Sequence, residues 1–334
     1  MATQRASGAI FGLAYGDALG APTEFLTMKQ IVRRNGLDGP RDLTGDPALV
    51  TDDTQMALAV ADGLLDALAN PPFTPDLVTP MWRRRFVDWL HSPDNNRAPG
   101  NTCLRACRGL SGGVPWVEAT QHGSKGCGAN MRVAPVGLAP GLSAEQRSGA
   151  AQLQAAMTHG HPTGLAASEL TAYAVWWLRE GMAPSDLPAA LRDHCHAERT
   201  TYHERWLGAL WQRPAIDSPE AFIARGWDEC LRALDRLDAA LARPDRDSDP
   251  CLQTGAGWIA EEALMTGLLC FLLFPDDPVS AIWRGAASSG DSDSIACLAG
   301  SFAGARLGMD AWPPAWRERI EYADHLARVG AAWD

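Results

Sequence analysis

Apolar residues return at helical spacing through most of the chain, and strict apolar–polar alternation of the strand kind is scarce. Met56, Val60 and Leu64 follow Thr51-Asp52-Asp53-Thr54-Gln55, which predicts a helix running to about Ala69 and stopping at Asn70-Pro71-Pro72. After Ser289-Gly290-Asp291-Ser292-Asp293-Ser294, the residues Ile295, Leu298, Ala299 and Phe302 obey the i, i+3, i+4, i+7 rule, so a buried helix begins there. The same spacing predicts helices over 4–20, 77–91, 103–110, 144–158, 164–180, 219–243, 256–274, 278–287 and 314–333. The first of these is rich in Gly and Ala, which in a helix points to close packing or a nearby ligand. Residues 26–50 hold turns without clear periodicity. About a dozen helices of ordinary length account for the chain, and neither a repeat nor a linker divides it. The predicted class is all-α, with one domain over residues 1–334.

Composition narrows the function. Of 334 residues, 46% are apolar and 13 are Trp, enough for a large core. A net charge of −11 argues against a general nucleic-acid surface or an anionic membrane surface. The eight cysteines are scattered without a C-x-x-C pair and read as reduced core residues. No basic n-region precedes the small-residue stretch from Gly8 to Gly20, and no apolar run reaches membrane-spanning length, so a soluble cytoplasmic protein is expected, monomeric by default.

Two helix starts carry more acid than a cap needs. A single Ser, Thr or Asp oxygen caps a helix, yet Thr51, Asp52 and Asp53 crowd one start and Asp291, Ser292, Asp293 and Ser294 the other. Asp52 with Gln55 is expected to form an acidic variant of the capping box. If the two starts meet, four carboxylates share one place, a costly arrangement that divalent cations relieve. Magnesium and manganese favour such oxygen ligands, and Thr51 and Ser294 add neutral ones. The alternative is two independent acidic caps.

Other polar positions are less specific. Pro22 places Glu24 in a loop, where it reads most simply as an exposed acid. The segment Gln121-His122-Gly123-Ser124-Lys125-Gly126-Cys127-Gly128-Ala129-Asn130-Met131-Arg132 carries two cations and could cradle phosphates through its N–H groups, or be a plain connection. The turn at Thr158-His159-Gly160-His161-Pro162 could hold a ligand or be structural. His194-Cys195-His196 and His203 match no zinc spacing and read as a helix end with incidental donors. Glu261-Glu262 reads as a solvated face or as first-turn acids of a helix.

Several of these segments, in this order, resemble the ADP-ribosylglycohydrolases, the group that includes ADP-ribosylarginine hydrolases and the dinitrogenase reductase-activating glycohydrolase. Gly16-Asp17-Ala18-Leu19-Gly20-Ala21-Pro22-Thr23-Glu24-Phe25 is similar to the family's N-terminal signature. Thr51-Asp52-Asp53-Thr54 and Gly290-Asp291-Ser292-Asp293-Ser294 resemble its two metal motifs, with Ser where many members have Thr. Gly126-Cys127-Gly128-Ala129-Asn130-Met131-Arg132 resembles the ligand loop, and Thr158-His159 the turn after it. The resemblance implies a compact orthogonal helical bundle with two divalent cations, Mg2+ or Mn2+. It also implies hydrolysis of the bond between ADP-ribose C1″ and an acceptor on a protein, a nucleic acid or a metabolite. The implied metal ligands are Thr51, Asp52, Asp53, Asp291, Asp293 and Ser294, with Glu24 and Asp53 as the acids nearest the chemistry. The implied substrate contacts are Asn101, Ser124, Gly126, Cys127, Gly128, Asn130, Met131 and His159. One departure leaves the acceptor open: in Arg97-Ala98-Pro99-Gly100-Asn101-Thr102, Ala98 stands where arginine-specific relatives carry Asp, and Asp94 is the substitute at hand. A dinuclear phosphohydrolase acting on nucleotide diphosphates and a non-catalytic ADP-ribose-binding protein are the competing expectations.

Overall fold

The apolar spacing does produce helices, and the computed structural model describes residues 3–36 and 39–334. The first half contains α1 (Arg5–Gly20), α2 (Met28–Asn35), α3 (Asp52–Leu68), α4 (Pro75–Leu90), α5 (Asn101–Ser111), α6 (Trp116–Ala119), α7 (Ala134–Leu138), α8 (Ala144–Ala156) and α9 (Pro162–Arg179). The second half contains α10 (Leu187–Glu198), α11 (Glu204–Leu207), α12 (Pro219–Leu241), α13 (Cys251–Thr254), α14 (Ala260–Leu273), α15 (Pro278–Ala286), α16 (Ser292–Leu307), α17 (Pro314–Arg319) and α18 (Ala323–Trp333). Among the described residues there is no strand, only isolated bridges, so the all-α class holds. None of these helices is long and apolar enough to cross a membrane. The eight cysteines are all free thiols.

The eighteen α-helices among the described residues exceed the expected dozen for local reasons. Single-turn helices such as α6, α11 and α13 are too short to show a period. The helix α2, in a stretch without periodicity, is started by a capping box in which Thr27 and Gln30 satisfy each other's backbone. The expected final helix is two, because the chain between them leaves helical geometry to pair with Ala48. Ala48 N–H donates to Arg319 O at 2.6 Å, Glu321 N–H donates to Ala48 O at 3.0 Å, and Tyr322 takes a left-handed φ of 58°.

The centre of the bundle is the antiparallel pair α1–α16. Every residue of α1 after Arg5 is buried. Its glycines recur every fourth position, which lines them along one face, and that face meets the small residues of α16. A Cβ on Gly8 would lie 2.7 Å from Gly304 O, on Gly12 2.3 Å from Gly300 O, on Gly16 2.0 Å from Ala296 O and on Gly20 2.4 Å from Ser292 O. The two backbones are therefore in contact, and the C-terminal end of α1 is fixed beside the first turn of α16. Gly16→Ala is expected to lower stability by about 1–3 kcal/mol, read as a lower urea midpoint at unchanged m, because neither opposed backbone can yield locally. An unchanged midpoint would show the pair to be looser than this.

Candidate active site

Glu24 follows α1 after a short 3-10 turn, Ala21–Thr23. Thr23 pins that turn, its Oγ1 standing 2.7 Å from Gly20 O, 2.6 Å from Ala286 O and 3.1 Å from Ser292 Oγ. The start of α3 is held from the same helix. Asp17, fully buried on α1, accepts from Thr51 N–H at 3.0 Å, Thr51 Oγ1 at 2.8 Å, Thr54 N–H at 3.1 Å and Thr54 Oγ1 at 2.6 Å. Asp17 thus caps α3 from outside, and the expected capping box of Asp52 with Gln55 does not form. Thr51 occupies the N-cap, Asp52 is the first helical residue, and the Gln55 amide bonds Asp94 O and Trp89 Nε1 instead. At α16, Asp291 sits in the N-cap position but makes no side-chain cap bond. The acids of both helix starts are left free to face each other.

Glu24, Asp291 and Asp293 each bring a carboxylate oxygen within 4.8 Å of the others. Asp52 and Asp53 complete the floor of the same cleft, which encloses about 300 Å³. Asp52 Oδ2 accepts from Gly100 N–H at 3.2 Å, while Asp53 Oδ1 is buried without a partner. No Lys or Arg is among the residues lining this cleft. Burial first, and then the field of Asp293, pushes Glu24 up to about 9 and Asp53 and Asp291 well above the usual carboxylate range. Burial also carries Asp17 and Asp52 to about 7. Carboxylates this crowded and this dry call for positive charge that no side chain supplies.

Across the cleft, Gly126, Cys127, Gly128, Met131 and His159 form the facing wall, with Asn101 at one edge and Ser294 on the floor. A Cβ on Gly128 would lie 2.9 Å from Cys103 Sγ and 3.1 Å from His159 Cε1, so this wall is as close to the cleft as backbone can come. His159 is buried against Thr158 Oγ1 at 2.8 Å, and burial, then Arg132, lowers it to about 3, which leaves a neutral imidazole. Phe25 and Trp258 stack at the rim, 5.4 Å apart and 17° from parallel, and remain 66% and 42% exposed.

Three of the expected contacts do not reach the cleft. Asn130 is fully buried, its amide donating to Ala260 O at 3.1 Å and its Oδ1 accepting from Thr171 at 2.7 Å, so it braces the loop from behind. Ser124 turns its hydroxyl to Thr102 Oγ1, 2.9 Å away. Thr51 gives its hydroxyl to Asp17 and lines the neighbouring cavity. The loop's cations are also committed. Lys125 pairs with Glu229 at 2.6 Å and with Glu261, so Glu261 is a first-turn acid of α14, as one of its two readings expected, and a buried ion partner in place of a solvated face. Arg132 is buried over the Phe86 ring and bonds Gln154 and Thr158. The loop amides are partly used as well, since Cys127 N–H donates to Trp258 O at 3.2 Å.

A second cavity of about 530 Å³ lies on the other side of Glu24, sharing Glu24, Phe25 and Ala98 with the first. Its walls are largely apolar, from Ala18, Pro22, Pro47, Leu49 and Val50. Arg97 lines it but binds Glu321 through both terminal nitrogens and also donates to Val50 O. Asp94 does not stand in for the acid missing at Ala98, because its Oδ2 accepts from Tyr322 OH at 2.6 Å. Ala98 itself has a left-handed φ of 50°. Sequence reasoning gave no role to Asp17, Phe25 or Trp258. For Asp17 the signal was present, a lone charge inside an otherwise small and apolar helix.

The family model described as ADP-ribosylglycohydrolase matches residues 2–333. The ADP-ribosyl-[dinitrogen reductase] glycohydrolase of Rhodospirillum rubrum is 27% identical over 95% of this chain and 90% of its own length. ADP-ribosylhydrolase ARH3 of Danio rerio is 27% identical over 98% of this chain and 90% of its own. ADP-ribosylarginine hydrolase Tri1 of Pseudomonas putida is 26% identical over 98% and 77%. A solved structure described as an ADP-ribosylglycohydrolase-related protein complex superposes with a TM-score of 0.69 over 99% of this chain and 96% of that chain, at 24% identity, a likeness of fold. With the family model covering nearly every residue, this chain belongs to the ADP-ribosylglycohydrolase family, enzymes that hydrolyse ADP-ribosyl linkages.

Proposed function

We propose that this chain releases ADP-ribose from a neutral acceptor, using two divalent cations, Mg2+ or Mn2+, in the acid-floored cleft. The observation that carries the reading is the buried, unpartnered Asp53 Oδ1 among carboxylates with no cationic side chain lining the cleft. An all-oxygen set of this kind fits a hard cation. Asp52, Asp53, Asp291 and Asp293 would hold the ions, with Ser294 as a neutral neighbour and Glu24 close enough to share one. Bound there, the cations supply a grip on ribose hydroxyls and a water of lowered pKa.

The chain's own groups account for the rest. Cleavage at a ribose C1″ passes through an oxocarbenium-like state, and the carboxylates of Glu24 and Asp53 favour that developing positive charge. Glu24 borders both cavities, so its carboxyl is placed between the sugar and the departing acceptor. Neutral His159 and the backbone wall at Gly126 and Gly128 suit ribose or phosphate oxygens without adding charge, in keeping with the engagement of Lys125 and Arg132 elsewhere. Phe25 and Trp258 offer apolar faces to a base or to the acceptor and keep water from the rim.

The acceptor side favours a neutral leaving group. Glu24 is the single acid among the residues lining the second cavity, and a guanidinium would find no further carboxylate there. An oxygen-linked acceptor such as a serine side chain is therefore expected to be turned over about tenfold faster than arginine, a difference within reach of one missing charged contact. The assay is release from ADP-ribosylserine and ADP-ribosylarginine peptides with Mg2+, Mn2+ or chelator, the product resolved by chromatography. Intact ADP-ribose that disappears on chelation is expected. AMP as product would establish a phosphohydrolase instead, and turnover that persists in chelator would remove the cations from the mechanism.

A further inference from the structure

A second set of ligating atoms lies outside both cavities, around Glu169 on α9. Glu169 is fully buried and faces the end of α10 and the turn into α11. His194 Nε2 stands 2.8 Å from Glu169 Oε1, and Gln152 Nε2 donates to Glu169 Oε2 at 2.6 Å. His203 turns its Nε2 into the same space, 3.9 Å from Glu169 Oε2 and 4.0 Å from Glu198 Oε2. That side chain is only 8% exposed, and its Nε2 has no hydrogen-bond partner. One ligand atom from each of Glu169, Glu198 and His203 lies within 4.8 Å of the other two.

We propose that Glu169, Glu198 and His203 form a divalent cation site of mixed nitrogen and oxygen ligands, suited to Zn2+, that ties α9 to the α10–α11 turn. The spacings decide between a hydrogen-bonded cluster and a metal site. At 3.9 and 4.0 Å the imidazole is too far from either carboxylate for an N–H···O bond. Two atoms that each bind one tetrahedral zinc ion at about 2.0–2.2 Å stand roughly 3.3–3.6 Å apart, so a shift of the His203 ring by a few tenths of an ångström brings its Nε2 to that separation. A buried ring nitrogen without a partner is a cost that a metal bond removes.

The ligand types also choose the ion. Imidazole nitrogen with carboxylate oxygen suits zinc, whereas magnesium takes oxygen alone. The two sites of this chain are thus chemically distinct, the acid-floored cleft being all oxygen. The two carboxylates balance the charge of a dication. His194 and Gln152 hold Glu169 from behind, as outer partners do in metal sites. The Glu198 side chain is 25% exposed, which gives an ion a way in and leaves room for water as a further ligand. In the sequence, His194, Cys195, His196 and His203 have no partner at zinc spacing. The missing ligand is Glu169, which a different helix delivers, while Cys195 is buried outside the set.

Chelated full-length chain titrated with Zn2+, and separately with Co2+ as a spectroscopic stand-in, tests the assignment. The Asp53→Asn variant, altered only in the cleft, is expected to keep this Zn2+ site and to give a visible Co2+ spectrum of the nitrogen-ligated kind. In the Asp53→Asn background, His203→Gln is expected to weaken Zn2+ at least about tenfold and to abolish that spectrum. If His203→Gln fails to fold, Glu198→Gln carries the test, because its side chain lies at the solvent edge of the site. Zn2+ should raise the melting temperature of Asp53→Asn and leave that of the Asp53→Asn/Glu198→Gln double variant unmoved, since only ligand bound to the native state stabilises it. Equal Zn2+ affinity in Asp53→Asn and in both of these variants overturns the proposal. A chain with no nitrogen-ligated Co2+ spectrum overturns it as well.

Discussion

Asp53→Asn and Asp291→Asn are each expected to lower kcat/KM on an ADP-ribosylated peptide by about 10³-fold, the scale of losing a charged group that acts at the reacting centre. The amide keeps the volume of the side chain, so the fold should survive and the loss belongs to the missing charge. Asp53 is the sharper case, because its Oδ1 is buried with no protein partner to compensate. Mn2+ binding, followed by calorimetry, should weaken together with activity. Wild-type turnover in either variant would take these acids out of the reaction. Unchanged Mn2+ affinity with activity lost would assign them to the chemistry and leave the cations to the remaining ligands.

Metal-free chain is expected to lose stability as pH rises, the reverse of an ordinary acid-sensitive domain. Free carboxyls titrate near 4 in an unfolded chain, whereas burial and mutual repulsion carry Asp17 and Asp52 to about 7 and Glu24 to about 9. Between about pH 4 and pH 9 the folded state therefore binds more protons than the unfolded state, and unfolding free energy falls with pH. The contribution of these groups is complete below about pH 4 and is lost as pH passes through 7 and then 9. In chelator, the melting temperature should drop between pH 6 and pH 9. With saturating Mg2+ or Mn2+ the slope should flatten or reverse, because ion binding displaces those protons and strengthens with pH. A melting temperature in chelator that stays level or rises across this range would mean that the acids are not packed as tightly as described.

Much of the fold and part of the site could be read from the chain itself. Periodicity located the long helices because Met56, Val60, Leu64 and Ile295, Leu298, Phe302 each mark one buried face. It could not find α2, whose start depends on a capping box, nor the break at Tyr322, which depends on Ala48 from the other end of the chain. In the cleft, the surplus of acid at two helix starts is visible in the sequence, and the fold brings Asp52, Asp53, Asp291 and Asp293 to one cleft, with Asp291 making no cap bond. Asn130, Ser124 and Thr51 were assigned by position within a motif, and each turns its side chain to a neighbour that only the folded chain supplies, Thr171, Thr102 and Asp17. The same limit hid Glu261 as an ion partner of Lys125 and Glu169 as a companion of His203. Pairings between distant helices leave no local period, so they are the part that sequence spacing does not carry.

The backbone contact between α1 and α16 also sets when the enzyme can begin to work. Glu24, Asp52 and Asp53 leave the ribosome well before Asp291, Asp293 and the helix that seals the glycine face of α1. At about 5–20 residues per second, that interval is on the order of ten seconds or more. During it α1 has no partner for a face almost devoid of side chains, and contacts so distant in sequence close slowly. A nascent chain should therefore be most exposed to proteases and chaperones through α1, and a truncation before Asp291 removes the seal along with Asp291 and Asp293.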